Sequence, residues 1–293
     1  MSHEPSAISH IHEPTNYLTV DVEDYFQVSA FEDIVGIDNW GSYTPRVVKN
    51  TQRILSLFDK YDVKATFFVL GWVAEKFPDL VKEIDHKGHE IGCHSYYHRL
   101  VYNLSPAEFK RDTQEAKEIL EQIIGRKVLG YRAPSYSITK RSLWALDILE
   151  ELGFQYDSSI FPIYHDRYGM PDAPRFSYKH SGHDLIEYPI STSLIFGRKV
   201  PVAGGGYFRL FPYWFTRMAL KRVNKLEKQP FIFYLHPWEI DPEQPRMHNA
   251  GSVSRFRHYN NLGKTFTRME KLLKDFFFGA LRPTITERGR HTV

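Results

Sequence analysis

The sequence predicts an α/β protein built on a parallel sheet or barrel. Three observations predict it. Short β-rich runs alternate with amphipathic helical stretches over residues 17–161. Charged and imidazole side chains recur where the β-rich runs stop, as they do at the carboxyl ends of barrel strands. The 293 residues, with no internal repeat or dividing linker, suffice for one large domain with a sizeable core.

Residues 1–16 are polar, carry no apolar run, and read as a disordered leader rather than a signal peptide. No apolar stretch reaches 18 residues, so the expectation is a soluble cytoplasmic protein without a transmembrane segment. Residues 17–22 (Tyr-Leu-Thr-Val-Asp-Val) make the first strand and run into Asp21, Glu23 and Asp24. A helix follows over 45–61, its Val47, Val48, Ile54, Leu55 and Phe58 on one face. The apolar run 65–70 is the second strand, and 72–87 is helical, with Pro78 opening its main part. The third strand is 90–94. Ser105-Pro106-Ala107-Glu108 is a capping box that starts a helix running to Ile124. Residues 128–131 are the fourth strand, 139–152 a helix stopped by Gly153, and 154–157 another strand.

Beyond Phe161 the pattern loosens into loops rich in Pro, Gly and His, with a strand at 185–190. Gly204-Gly205-Gly206 lacks the spacing and the Lys of a phosphate loop and reads as a tight turn. A helix over 212–226 precedes a buried strand, 231–235, that ends at His236. A last amphipathic helix covers 262–278, its Phe276-Phe277-Phe278 run docked on the protein rather than in a membrane. The organisation expected is a leader (1–16), a barrel (17–240) and an aromatic-rich C-terminal extension packed on it (241–293).

Composition narrows the function. Hydrophobic residues at 42% and charged residues at 25% are ordinary for a globular protein. A net charge of +3 without a basic block gives no sign of nucleic-acid binding. The single cysteine, Cys93, excludes an internal disulfide and reads as a small buried residue at a strand end. An aromatic content of 15%, rising in the second half, suits stacking on sugars or a large aromatic core. It could also bury a homo-oligomer interface.

Among the 14 histidines, His94 and His98 stand four apart just after the third strand, where two imidazoles share one side of a turn. Strand ends together supply Asp21, Glu23, Asp24, His94, His98, Arg132, Asp157 and His236. This set holds ligands for a divalent metal, a spare carboxylate, an Arg, and an Asp and a His for acid chemistry.

Five ordered motifs carry a resemblance. They are Leu-Thr-Val-Asp-Val-Glu-Asp (18–24), His-Ser-Tyr-Tyr-His (94–98), Gly-Tyr-Arg-Ala-Pro-Ser-Tyr (130–136), Asp-Ser-Ser (157–159) and Leu-His (235–236). Over residues 17–237 the chain resembles the polysaccharide deacetylases of the NodB-homology type, carbohydrate esterase family four. Its opening Asp-Val-Glu-Asp-Tyr-Phe-Gln-Val and aromatic C-terminal third look closest to the exosortase (PEP-CTERM) system-associated branch of exopolysaccharide loci.

The resemblance implies a distorted (β/α) barrel that removes N-acetyl groups from amino sugars with a divalent metal, Zn2+ fitting best. It implies Asp21 as base, His236 as acid, Arg132 restraining the base and Asp157 holding the His236 imidazolium. His94 and His98 would bind metal with a carboxylate, Glu23 or Asp24. The family's adjacent Asp-Asp pair is spread here over Asp-Val-Glu-Asp, so the two alignments differ. Tyr136 through its backbone and Trp238 through its ring would meet substrate, an N-acetylated carbohydrate of a polysaccharide or its lipid-linked precursor. Two rivals keep the fold: an allantoinase-like or cyclic-imide amidohydrolase, and a non-catalytic carbohydrate-binding subunit.

Overall fold

The computed structural model describes residues 14–165 and 168–281. Its strands are β1 (Asn16–Val22), β2 (Thr66–Val69), β3 (Glu90–Cys93), β4 (Gly130–Tyr131), β5 (Tyr156–Asp157), β6 (Tyr178–Lys179), β7 (Ile186–Glu187), β8 (Thr192–Ile195), β9 (Arg198–Pro201), β10 (Ile232–Leu235) and β11 (Phe278–Gly279). Its helices are α1 (Val47–Lys60), α2 (Gly71–Lys76), α3 (Pro78–His86), α4 (Pro106–Ile124), α5 (Ala145–Glu151), α6 (Gly205–Leu210), α7 (Tyr213–Lys225), α8 (Ser252–Tyr259) and α9 (Leu262–Asp275).

The main sheet runs β10-β1-β2-β3-β4-β5-β7-β6, with β11 also on β1. All its pairs are parallel except β6 on β7. The barrel is therefore an open, curled half-barrel. Its gap is bridged just after β7, where the Ile232 N–H donates to Ser191 Oγ at 2.8 Å.

Strand alternation sorts the side chains into two layers. Leu18, Val20, Val22, Phe67, Val69, Ile91, Cys93, Phe233 and Leu235 face outward into the helices. Phe68, Tyr156, Ile232 and Tyr234 fill the concave interior with Tyr136, Phe161 and Tyr188. Gly130 makes room for that layer: a Cβ there would lie 2.1 Å from the Tyr156 ring. The capping box at Ser105 and Glu108 forms as the sequence predicts, and Gly125 (φ 68°) ends α4.

Several elements differ from the sequence reading. β1 begins at the buried Asn16, inside the expected leader, whose residues 1–13 lie outside the described residues. The helix expected over 72–87 breaks at Phe77, because Pro78 cannot donate to the preceding turn and starts α3 afresh. The helix expected from Thr139 begins only at Ala145; the Ser142 hydroxyl takes the Thr139 N–H instead and holds a turn.

The β8–β9 hairpin and helices α6 and α8 were not anticipated. The glycine run does turn, but it turns directly into α6. Gly204, at φ 126°, lies so close to β10 that a Cβ would meet Tyr234 O at 2.0 Å. The last helix stops at Asp275, after which Phe276 and Phe278 are buried, Phe277 is exposed, and β11 joins β1. The Leu281 N–H donates to Thr66 Oγ1 at 2.8 Å, tying the chain beyond β11 to β2.

Candidate active site

The inward register of the strands carries straight into the site. Asp21 ends the inward set of β1, and His94, Arg132 and His236 each follow an outward residue at the end of β3, β4 and β10. A parallel sheet puts all four at its carboxyl edge.

Glu23, His94 and His98 come together there, one ligand atom from each lying within 4.8 Å of the others, all three buried. His94 Nδ1 contacts the Arg132 carbonyl at 2.7 Å, which as an acceptor fixes the proton on Nδ1 and leaves Nε2 bare. His98 Nδ1 rests 3.3 Å from Ser29 Oγ, and its Nε2 lies 2.8 Å from Glu23 Oε2. Burial pushes the His94 imidazole down to about 4, so it is neutral, the form that binds metal. Burial opposes charge on Glu23, yet His98, His236 and His94 around it hold the carboxyl well below the usual carboxylate range.

Glu23 Oε2 is buried without a hydrogen bond, despite its closeness to His98. Two imidazoles and a carboxylate with a spare buried oxygen fit a divalent transition metal with positions left open.

Asp21 faces this cluster. Its Oδ1 accepts from Arg132 Nη1 at 2.7 Å, and that nitrogen also donates to Thr19 Oγ1 at 2.7 Å. Arg132 is fully buried; its Nε donates to Ser158 O at 3.0 Å, its Nη2 to Ser158 Oγ at 2.8 Å, and its guanidinium lies 4.3 Å over the Phe68 ring. His236 Nε2 lies 3.8 Å from Asp21 Oδ2 and 3.6 Å from Glu23 Oε1. Burial works against its protonation, but Glu23, the Glu239 hydrogen bond and Asp21 together raise it to about 9.

Four expected roles meet a different geometry. Asp24 turns away from the histidines: its Oδ2 accepts from the N–H groups of Arg46 (2.6 Å) and Val47 (2.9 Å), and Oδ1 from that of Tyr25 (2.9 Å). It holds the start of α1, where free N–H groups and the helix dipole attract a carboxylate. Asp157 does not hold His236. It accepts from Ser159 Oγ, and burial beside the Glu187 carboxylate drives its pKa well above the usual range. The carboxylate on His236 Nδ1 is Glu239 Oε1, at 2.6 Å. The Tyr136 N–H is used by Ala133 O at 3.1 Å, so that amide is not offered to a substrate; the Tyr136 ring is packed in the interior.

Trp238 is buried, not a platform. Its ring stacks on His258 (4.1 Å, 12°), and its Nε1–H donates to Glu23 Oε1 at 3.0 Å. The sequence reading gave Glu239 no part in the acid chemistry. The signal was present, since residues three apart eclipse on the 3-10 turn Pro237–Ile240 that follows His236. Arg209, whose Nε lies 3.3 Å from Glu239 Oε2, left no such signal.

Residues 29–156 match the family model described as polysaccharide deacetylase, and residues 158–286 match one described as a domain of unknown function (DUF3473). Asp21, Glu23 and His236 fall outside the first match and reach the site through the fold. Two Bacillus cereus proteins named peptidoglycan-N-acetylglucosamine deacetylase are 38% identical over 33% of this chain and 33% identical over 42% of it. The chain spans 36% and 53% of their lengths.

Among solved structures, one from Mycobacterium smegmatis, provisionally named a polysaccharide deacetylase, shares the fold with a TM-score of 0.57 at 19% identity. It covers 90% of this chain and 86% of its own. The Puue allantoinase shares the fold with a TM-score of 0.54 at 15% identity, over 95% and 94% of the two chains. The curled sheet is therefore common to both structures, and it is over residues 29–156 that the sequence is similar to the polysaccharide deacetylase family model.

Proposed function

We propose that this protein hydrolyses N-acetyl groups from the amino sugars of an exopolysaccharide or its lipid-linked precursor, with a divalent metal, zinc the best fit, held by Glu23, His94 and His98. The observation that supports it most is the convergence of that buried triad with Asp21 and His236 at one carboxyl edge. The Asp-Val-Glu-Asp opening supports the exosortase-associated branch as its setting. A metal bound there would polarise an acyl carbonyl and acidify a water.

The chain's own residues account for the proton movements. Asp21, its Oδ1 pinned by Arg132, takes the proton of the attacking water as the C–O bond forms. His236 gives its Nε2 proton to the sugar nitrogen as the C–N bond breaks, leaving acetate and a free amine. Glu239 keeps the imidazole oriented through Nδ1, the role a buried carboxylate plays in other His-based catalysts. Arg132 bridges the site, its side chain on Asp21 and its carbonyl on His94.

The test compares N-acetylglucosamine oligomers with allantoin. Acetate released from the oligomers, lost in Asp21→Asn, with allantoin untouched, is the expected result. Hydrolysis of allantoin alone would replace this reading with the cyclic-amide one.

A further inference from the structure

We propose that the face formed by α6, α7 and the tip of the β8–β9 hairpin docks this protein on an anionic lipid bilayer, with the active-site mouth turned toward the lipid. Four large apolar side chains stand exposed here: Phe196, Leu210, Trp214 and Met218. Trp214 and Met218 are four apart on α7 and share one helical face. Phe196 occupies the turn between β8 and β9 at φ 49°, followed by Gly197, and is fully exposed.

The hairpin lies along α7 and antiparallel to it. Arg175 ties Thr192 to Glu227 just past the C-terminal end of α7, and Ser193 Oγ donates to Ala219 O at 3.1 Å in its middle. Continuing in that direction, the tip at Phe196 extends toward the start of α7, where Leu210 and Trp214 lie.

That end is the mouth of the site. A short connection joins α7 to β10, so the helix runs back along the strand and its start lies near the carboxyl end of β10, where His236 is. Independently, Arg209 contacts Glu239, the partner of His236, and the next residue is the exposed Leu210.

The charge identifies the partner. α7 carries Lys221, Arg222 and Lys225, besides an Arg217 paired with Asp275, and no acidic residue of its own, and β9 adds Arg198 and Lys199. Exposed aromatic and aliphatic tips among cations match an acidic headgroup layer over an acyl boundary. A neutral sugar chain gives no use for the cations, and a second copy docked by a two-fold axis would set this basic face against itself. Attachment would be peripheral: among the described residues no helix is long and apolar enough to cross a membrane. The proposal deepens the lipid-linked arm of the function above, and its test is read without enzymatic activity, so either can fail alone.

The full chain is sedimented with vesicles of phosphatidylcholine containing about one-third phosphatidylglycerol, and with phosphatidylcholine alone, at low and high salt. Binding to the anionic vesicles, lost at high salt and absent from neutral ones, is expected. The double variant Lys221→Gln/Arg222→Gln should weaken it roughly thirtyfold. Phe196→Ser/Trp214→Ser should weaken it by at least about tenfold while acetate release from soluble oligomers stays at the wild-type rate. Failure to bind anionic vesicles, or equal binding by both variants, would overturn the proposal. So would a dimer in light scattering that Trp214→Ser dissolves, which would give this face to a second copy.

Discussion

Replacing Trp238 by Phe separates two roles for a ring that the sequence offers as a sugar platform. Trp238 stacks on His258 at 4.1 Å and on His236 at 5.1 Å, contacts a Phe ring can largely keep. What Phe cannot keep is the Nε1–H bond to Glu23 Oε1 at 3.0 Å. A hydrogen bond to a charged, buried acceptor contributes about 1.5–3 kcal/mol. Groups that orient a metal ligand in this way change affinity by about 10–100-fold when removed. Trp238→Phe should therefore weaken metal binding by about 10–100-fold, measured by competition with a chromophoric chelator. In metal-saturated enzyme its KM for soluble oligomers should stay near wild type. Unchanged metal affinity with a KM raised about tenfold would refute the reasoning and return Trp238 to the substrate.

Other substitutions test the remaining assignments. Glu23→Gln should abolish stoichiometric metal binding, whereas Asp24→Ala should keep it and lower stability by about 1–2 kcal/mol through loss of the α1 cap, seen in urea melts. His236 must be protonated to act as acid, so activity is expected below its raised pKa of about 9 and is lost as pH rises through it. Glu239→Gln removes one of the charges that raise it and should move the alkaline limb of the pH–rate profile to lower pH; Asp157→Asn should leave that limb in place. His89, buried and accepting the Ala65 N–H at 3.2 Å, has its pKa lowered from 6.5 to about 4 by burial first and by Lys64 and Lys87 next. The stability of its neutral form is complete above pH 6.5 and is lost as pH falls through about 4. That costs about 2 kcal/mol, a loss that His89→Gln should flatten in melts taken across the range.

What could be read in the sequence followed from short-range physics. The β1, β2, β3 and β10 runs alternate between two buried layers, so their apolar content and their polar ends were visible together. The α4 capping box was legible because both partners sit within four residues. β4, β5 and β7 shrank to two residues each, because strand length is set by pairing with neighbours distant in sequence, which no local pattern records. The choice between Glu23 and Asp24 turned on α1, whose N-terminus claims Asp24 across the fold. Asp157 and Glu239 exchanged roles for a similar reason: burial sets Asp157 beside Glu187, while a tight turn brings Glu239 back to His236. The hairpin and α8 escaped notice in stretches where Pro and Gly interrupt the local pattern.

The most direct test of the central claim measures metal content and acetate release on one sample of protein purified without chelator. The account predicts one divalent metal per chain and acetate release from N-acetylglucosamine oligomers, both lost in His94→Ala and both restored in chelated wild type by added zinc. Acetate release that persists in metal-free protein, or in His94→Ala without bound metal, would contradict it.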